Sequence, residues 1–317
     1  MVLWQLIRRS LIFAASALVA SLLIFWVLFA GCLPAQVQLG VTGSPADVAA
    51  LCSEMGLARP FFVQYLDWLG GVLHGDFGVS YITGAPITPT LVDQLSVSLW
   101  LITGGMLVAL VIAVPLGTVS ALRNGRPDGY VLAGVSQLGV AIPSFLLAIL
   151  LVLVFAVTLG WLPANGYVVP ADDPVEFLRH MILPWVSLGA VQGAVLARYV
   201  RSAVLDEMGQ DYLRTARAKG LTPGRALARH GMRNAAIPVL TVIGVNLVTV
   251  LVGAVIIERI FTIPGIGKGL ADAAERRDLL TVQAQVMVIV ALALLVSLLV
   301  DLAYTVIDPR LRVRSAR

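Results

Sequence analysis

The stretch TIPGIGKG at residues 262–269 contains the Gly-Lys pair with which P-loops hold nucleotide phosphates. A complete P-loop also needs a glycine five residues before the second glycine and a serine or threonine after the lysine. Thr262 occupies the first of these positions, and Gly269 occupies the last. The sequence therefore predicts that this chain does not bind ATP through this motif.

Motifs for hydrolysis or metal binding are also missing. The histidines His74, His180 and His230 are far apart, and neither His-Glu-x-x-His nor Gly-x-Ser-x-Gly occurs. We therefore expect no catalytic residue, no metal site and no cofactor bound by this chain.

A polar, basic stretch at residues 204–235 interrupts the hydrophobic sequence and contains DYLRTARAKGL at 211–221. Its first part has a continuous helical pattern with a moderately apolar face, formed by Leu205, Met208, Tyr212, Leu213 and Ala216. Gly220 can end this helix, and Thr222-Pro223 can begin the next one. The pattern predicts a helix-glycine-helix elbow.

Two interpretations of this elbow are open. Small residues at a bend with Arg214, Arg217 and Lys219 around it suit docking into a groove of a partner protein. Alternatively, the segment only reverses the chain, or it lies on anionic lipid through its basic residues.

The amino-acid composition indicates what class of protein contains this elbow. The chain is 59% hydrophobic and 13% charged over 317 residues, which indicates an integral membrane protein. About 20 apolar residues cross a bilayer as a helix. Six such runs occur, so we expect six transmembrane helices, at Ser10–Ala30, Ser96–Leu122, Tyr130–Leu159, Met181–Ala203, Ala236–Phe261 and Val282–Ile307.

The basic residues predict the orientation. With the N-terminus inside, the cytoplasmic segments hold 16 Lys and Arg residues and the external segments hold six. Positive charge is retained on the cytoplasmic side, so both termini are expected in the cytoplasm. The predicted parts are the first helix with its preceding segment (1–30), an external segment (31–95), a five-helix core (96–307) and a cytoplasmic tail (308–317).

The external segment contains the amphipathic sequence PFFVQYLDWLGGVLHGDFG from Pro60 onwards. We expect this sequence to pack against the outer helix ends or to lie at the membrane interface. Cys32 and Cys52 both fall on the external side, where a disulfide can persist, but their spacing matches no disulfide framework. Their pairing stays open.

Charged residues within the hydrophobic runs are few. Asp301 lies near the inner end of the sixth run, and Glu258 and Arg259 lie at the outer end of the fifth. Ion-coupled transporters place ionisable groups near mid-membrane, so an ion-coupled mechanism is disfavoured. Glu258 and the stretch 264–278, including Pro264, Gly265 and Gly267, are candidates for an outer gate or a protein contact; interfacial capping is the alternative.

An ordered set of motifs resembles the permease subunits of type I ABC importers, in the peptide/nickel branch. The resemblance covers nearly the whole chain and is carried by IRRSLIF, QYLDWLGGVLHGDFGVS, AIPSF, LGWLPANGY, DYLRTARAKGL, ARHGMRNAAIPVL, GAVIIERIFTIPGIGKGL and DPRLR. Two departures occur. The family's coupling motif begins with Glu-Ala-Ala, which is reduced here to Thr215-Ala216, and FAGCLPAQVQLG lacks the usual Pro-Gly-Asp.

The resemblance implies an all-α, six-helix permease of the cytoplasmic (inner) membrane. Its implied partners are a second homologous permease, two ATP-binding subunits that hold ATP and Mg, and an extracytoplasmic substrate-binding protein. ATP hydrolysis would belong to those partners, and this chain would not itself be an enzyme. No nucleic-acid partner is expected, because the basic residues are spread over inner helix ends.

The resemblance also implies roles for individual residues. Ala216 and Gly220 would sit at the elbow that enters the ATPase. The other residues of the implied coupling site are Asp211, Arg214, Thr215, Arg217, Lys219, His230, Arg233 and Asn234. The implied cargo is a di- or oligopeptide; nickel, glutathione and haem are alternatives within the same class, and an ion-coupled secondary transporter is the alternative from another class.

Overall fold

The computed structural model describes residues 2–29, 32–40 and 44–307. Within these ranges the regular elements are helices, apart from an isolated β-bridge between Val79 and Pro86. The helices are α1 (Val2–Phe29), α2 (Leu33–Leu39), α3 (Pro45–Glu54), α4 (Phe61–Leu73), α5 (Ile87–Leu122), α6 (Pro127–Ala141), α7 (Ser144–Leu151), α8 (Pro174–Met208), α9 (Asp211–Ala218), α10 (Pro223–Ala226), α11 (Met232–Ile260), α12 (Ile266–Glu275) and α13 (Leu279–Ile307). The predicted tail 308–317 lies outside the described residues.

Five helical stretches within the described ranges are long and apolar enough to cross a membrane. They are Ile7–Phe29, Ile87–Leu122, Pro174–Met208, Pro223–Ile260 and Leu279–Val300. A sixth span exists if the bent pair Pro127–Ala141 and Ser144–Thr158 is counted as one.

The third predicted span, Tyr130–Leu159, is not one continuous helix. It breaks between α6 and α7 with a bend of 96°. Pro143 has no backbone N–H to donate, and the residue before it, Ile142, is extended with φ −86° and ψ 121°. The predicted hydrophobic run is therefore present as a bent pair of helices, and hydropathy alone does not register the break. After α7 the chain continues as a π-helical stretch, Val152–Thr158.

The chain forms two compact units. The first comprises residues 98–263 with the described parts of 1–6 and 296–317, and the second comprises 7–97 and 264–295. Long helices such as α5 and α13 contribute to both.

The first unit is built on close contact between α5 and α8. A Cβ atom added at Gly189 would lie 2.5 Å from the Gly105 carbonyl oxygen, and one added at Gly117 would lie 2.5 Å from the Ala197 oxygen. Small residues at such crossings let two helix backbones approach, which is how helices associate in a membrane. On the same interface Trp185 donates its indole N–H to the Trp100 carbonyl at 3.0 Å.

The second unit contains the external segment. Cys32 and Cys52 form a disulfide, with 5.7 Å between their Cα atoms, and this bond ties the start of α2 to α3. The sequence had left this pairing open. The start of α13 is held by Asp278, which accepts hydrogen bonds from Ser80 (2.5 Å) and Thr281 (2.6 Å).

Candidate functional site

The predicted elbow at 204–235 is present in the first unit, but it begins differently from the expectation. Helix α8 ends at Met208, and Gln210 is extended with φ −72° and ψ 145° before α9 begins at Asp211. The expected continuous helix was wrong, because the backbone leaves the helical conformation at Gln210 although the apolar periodicity continues. Helix α9 is therefore a separate element from α8.

Helix α9 is anchored by two residues of the predicted apolar face. Leu213 and Ala216 are 2% and 9% exposed. Tyr212, which was predicted on the same face, is 40% exposed instead. Anchoring on one short side leaves the remaining surface of α9 free to make contact with another molecule.

Helix α9 ends in the hydrogen-bond pattern of a Schellman motif. The amide of Gly220 donates to the Arg217 carbonyl at 2.9 Å, and the amide of Leu221 donates to the Ala216 carbonyl at 3.3 Å. Gly220 has φ +91°, a left-handed conformation that favours glycine. The prediction that Gly220 ends this helix is confirmed.

The next helix, α10, begins as the sequence predicted. The hydroxyl of Thr222 accepts a hydrogen bond from the Arg225 amide at 3.4 Å, and Pro223 occupies the first turn. The two caps together fix the bend between α9 and α10, so the elbow is a defined structure with its own hydrogen bonds.

Three side chains from different helices meet beside this elbow. The Tyr212 hydroxyl donates a hydrogen bond to the carboxylate of Glu207 in the last turn of α8. The side-chain amide of Asn234, in the first turn of α11, donates to the Tyr212 hydroxyl at 3.1 Å and to the Glu207 carboxylate at 3.3 Å. We call Glu207, Tyr212 and Asn234 the polar clamp; it joins α9 to α8 and α11.

The electrostatics of the clamp keep the phenol protonated. Desolvation of the Tyr212 hydroxyl, together with its hydrogen bond to the Glu207 carboxylate, raises the pKa of Tyr212 above its ordinary value of 10. The shift favours the protonated phenol, which is the form that donates to Glu207. Sequence reasoning included Asn234 but missed Glu207 and Tyr212, whose side chains are 27 and 22 residues from it along the chain.

The other predicted coupling residues form an exposed, mainly basic rim. Arg217, Lys219, His230 and Arg233 are exposed. Arg214 lies 3.6 Å from Asp211 in an exposed ion pair, a contact worth little in water. Thr215 donates its hydroxyl to the Asp211 carbonyl at 3.0 Å.

The predicted outer-gate residues are divided between the two units. Glu258 belongs to the first unit, is 1% exposed, and accepts a hydrogen bond of 2.6 Å from Ser98 on α5. Pro264, Gly265 and Gly267 belong to the second unit, where Pro264 is exposed and both glycines are buried. Glu258 therefore presents no surface to another protein in this structure, and a gating role for it stays a prediction.

Family models match both parts of the chain. Residues 113–313 match "Binding-protein-dependent transport system inner membrane component", and residues 2–102 match the model of the N-terminal part of such membrane components. The first match alone covers more than half of the chain.

Several named relatives are similar over most of their length. A probable peptide ABC transporter permease protein of Sinorhizobium fredii is 38% identical over 279 residues, covering 88% of this chain and 89% of that protein. The dipeptide transport system permease protein DppB of Escherichia coli K12 is 36% identical with the same coverage. The oligopeptide transport system permease protein AppB of Bacillus subtilis is 38% identical, covering 84% of this chain and 86% of that protein.

A solved structure shares the fold. An inward-facing structure of the MetNI methionine ABC transporter contains a chain that matches with a TM-score of 0.58 and 16% sequence identity, covering 69% of this chain and 96% of that one. At this identity the match concerns the fold alone. The chain belongs to the family of binding-protein-dependent transport system inner membrane components, the permease subunits of ABC importers.

Proposed function

We propose that this chain forms half of the translocation path of an ATP-driven importer for di- and oligopeptides, and that residues 211–221 couple it to cytoplasmic ATPases. The observation that carries the coupling role is the construction of α9. This short helix is anchored by Leu213 and Ala216, closed by a left-handed Gly220, and otherwise exposed. The peptide cargo is supported by the printed names of the relatives from Sinorhizobium, Escherichia and Bacillus.

The coupling mechanism follows from how α9 is attached. A partner that moves α9 pulls on α8 and α11 through the polar clamp, because Tyr212 bonds to Glu207 on one helix and receives a bond from Asn234 on the other. Because the extended Gln210 separates the two helices, the clamp is a side-chain link between α9 and the end of α8. ATP and Mg would be held by the partner ATPases, whose closure would thus become a movement of helix ends at the membrane.

The assembly that we propose has a second homologous permease, two ATP-binding subunits and an external substrate-binding protein. Both termini and the segment 204–235 lie in the cytoplasm, and the segment 31–95 lies outside. The exposed Arg214, Arg217 and Lys219 suit the rim of an ATPase contact. Glu258 and the region from Pro264 to Gly267 belong to the outer gate, with the buried Ser98 to Glu258 hydrogen bond holding α5 to α11.

Removing the Tyr212 hydroxyl should weaken the coupling between this chain and the ATPases more than it lowers the stability of the fold. In Tyr212→Phe the ring stays and the hydrogen bonds to Glu207 and Asn234 are lost, a change of about 1 kcal/mol in stability. We expect substrate-stimulated ATP hydrolysis by the assembled transporter to fall several-fold, with normal assembly on size-exclusion chromatography.

The matched control for that experiment is Tyr130→Phe. Tyr130 lies on α6 and is 64% exposed, so its hydroxyl should be dispensable. Stimulated hydrolysis at the wild-type rate in Tyr212→Phe would show that the clamp takes no part in coupling.

Transport into vesicles tests the proposed function as a whole. The complete assembly is reconstituted in proteoliposomes with its binding protein, and uptake of a labelled dipeptide, of nickel, of glutathione and of haem is compared. We expect dipeptide uptake that requires ATP hydrolysis and survives a protonophore. Uptake of another cargo alone would replace peptide as the substrate, and uptake that an ion gradient drives without ATP would refute the importer mechanism.

A further inference from the structure

Helix α4 of the external segment carries an exposed apolar row. Phe62, Leu66 and Leu73 are 69%, 62% and 77% exposed. Their spacing of four and seven residues places them on one side of the helix. Exposed apolar side chains grouped on one side of a helix suit contact with an apolar partner.

The neighbouring face of α4 fixes where this row lies. The ring of Phe25 on α1 packs against Phe61, Tyr65 and Trp68 of α4, with centroid distances of 5.4, 5.6 and 5.5 Å. The hydroxyls of Tyr65 and Ser21 share a buried hydrogen bond of 2.8 Å. Helix α4 is thus attached to the C-terminal turns of α1 by an aromatic cluster and a polar contact.

These contacts lie within the part of α1 that is long and apolar enough to span a membrane. The candidate span Ile7–Phe29 has 23 residues, or roughly 34 Å at a helical rise of 1.5 Å per residue, close to the hydrocarbon thickness of a bilayer. On the same scale Phe25 and Ser21 lie about 6 and 12 Å inside the end of the span at Phe29. Amphipathic helices at membrane surfaces bury their apolar face to about 5–10 Å, a range that includes the level of Phe25.

The side chains near the exposed row of α4 also have the exposure and charge pairing expected of a helix in contact with lipid. On α1 the side chains of Leu23, Trp26 and Val27 are 54%, 57% and 60% exposed at the same level as α4, as expected for a span covered by acyl chains. The charged side chain of α4, Asp67, lies on a different face and forms an ion pair of 2.7 Å with Arg59. Pairing lowers the cost of holding that carboxylate close to the membrane.

We propose that α4 is an interfacial helix that inserts Phe62, Leu66 and Leu73 into the outer leaflet of the bilayer. The external segment is then anchored to the membrane surface through α4 as well as through the end of α1. The disulfide between Cys32 and Cys52 and the helices α2 and α3 are held beside this anchor.

Spin labels in the reconstituted full-length transporter test this placement. Leu66→Cys is labelled with a nitroxide without reductant, so that the disulfide stays closed, and its collision rates with oxygen and with a water-soluble nickel chelate are measured. Leu23→Cys on α1 is the lipid-facing control. Ala46→Cys, exposed at the start of α3 beside the exposed Asp47, is the aqueous control.

We expect the label at position 66 to match Leu23→Cys, with frequent oxygen collisions and few collisions with the chelate. Phe62→Cys gives the same comparison at a second position if the first variant folds poorly. Chelate accessibility equal to that of Ala46→Cys would place the row in water. Low accessibility to both reagents would place it against a protein partner. Either result would overturn the proposal.

Discussion

The variant Gly220→Leu is expected to insert into the membrane normally and to lose nearly all substrate-stimulated ATP hydrolysis, by roughly tenfold or more. Gly220 has φ +91°, and a residue with a side chain pays about 1–2 kcal/mol to hold a left-handed conformation. Leucine therefore opens the Schellman motif at the end of α9 or adds a bulky side chain at the elbow. ATPase rates of the purified assembly with and without loaded binding protein measure the effect.

Gly125→Leu is the matched control. Gly125 also has a positive φ of 83°, and a Cβ at Gly125 or at Gly220 would meet no atom within 4 Å. The two variants therefore carry similar backbone strain, but only Gly220 belongs to the elbow. Ala216→Asp should resemble Gly220→Leu, because it places a carboxylate where Ala216 is 9% exposed. Equal stimulated activity in Gly220→Leu and in the control would remove the elbow from the coupling mechanism.

The variant Gly189→Val should fail to form a stable transporter. Its Cβ would lie 2.5 Å from the Gly105 oxygen and 2.6 Å from the Val108 Cβ, so α5 and α8 must separate. Overpacking of this kind costs about 1–3 kcal/mol and occasionally more. We expect a lower midpoint of thermal unfolding in mild detergent and little monodisperse protein on size-exclusion chromatography.

Gly134→Val controls for the loss of a helical glycine. Gly134 lies in α6 with nothing within 4 Å of an added Cβ, and valine has a slightly better helix propensity than glycine. This variant should unfold at or near the wild-type temperature. A Gly189→Val protein as stable as this control would mean that the close crossing of α5 and α8 does not hold the first unit together.

Hydrophobic run length predicted most of the membrane-spanning helices, because burial in lipid demands long apolar stretches whatever the tertiary structure. The caps at Gly220 and Thr222 were also predictable, because the backbone geometry there depends on local residue types. The break at Pro143 was harder to predict than the caps. Transmembrane helices also tolerate prolines, such as Pro115 and Pro184, which lie inside α5 and α8. Whether a proline bends or breaks a helix depends on packing.

The polar clamp could not be predicted from the sequence. Glu207 and Asn234 are 27 residues apart, and they meet only because α8 and α11 bring their ends together beside Tyr212. The same limit applied to Cys32 and Cys52, whose pairing depends on how α2 and α3 fold back on each other. Contacts between distant residues follow from the tertiary structure, for which local patterns carry no signal.

Photocrosslinking from the elbow tests the central claim most directly. A photoreactive phenylalanine analogue replaces Arg217, which is exposed on α9 beside the buried Ala216, and native membranes are irradiated before the adducts are identified by mass spectrometry. We predict an adduct with an ATP-binding subunit, which is absent when the analogue replaces the exposed Tyr130 on α6. Adducts with lipid alone would contradict the account and favour an elbow that merely lies on the membrane.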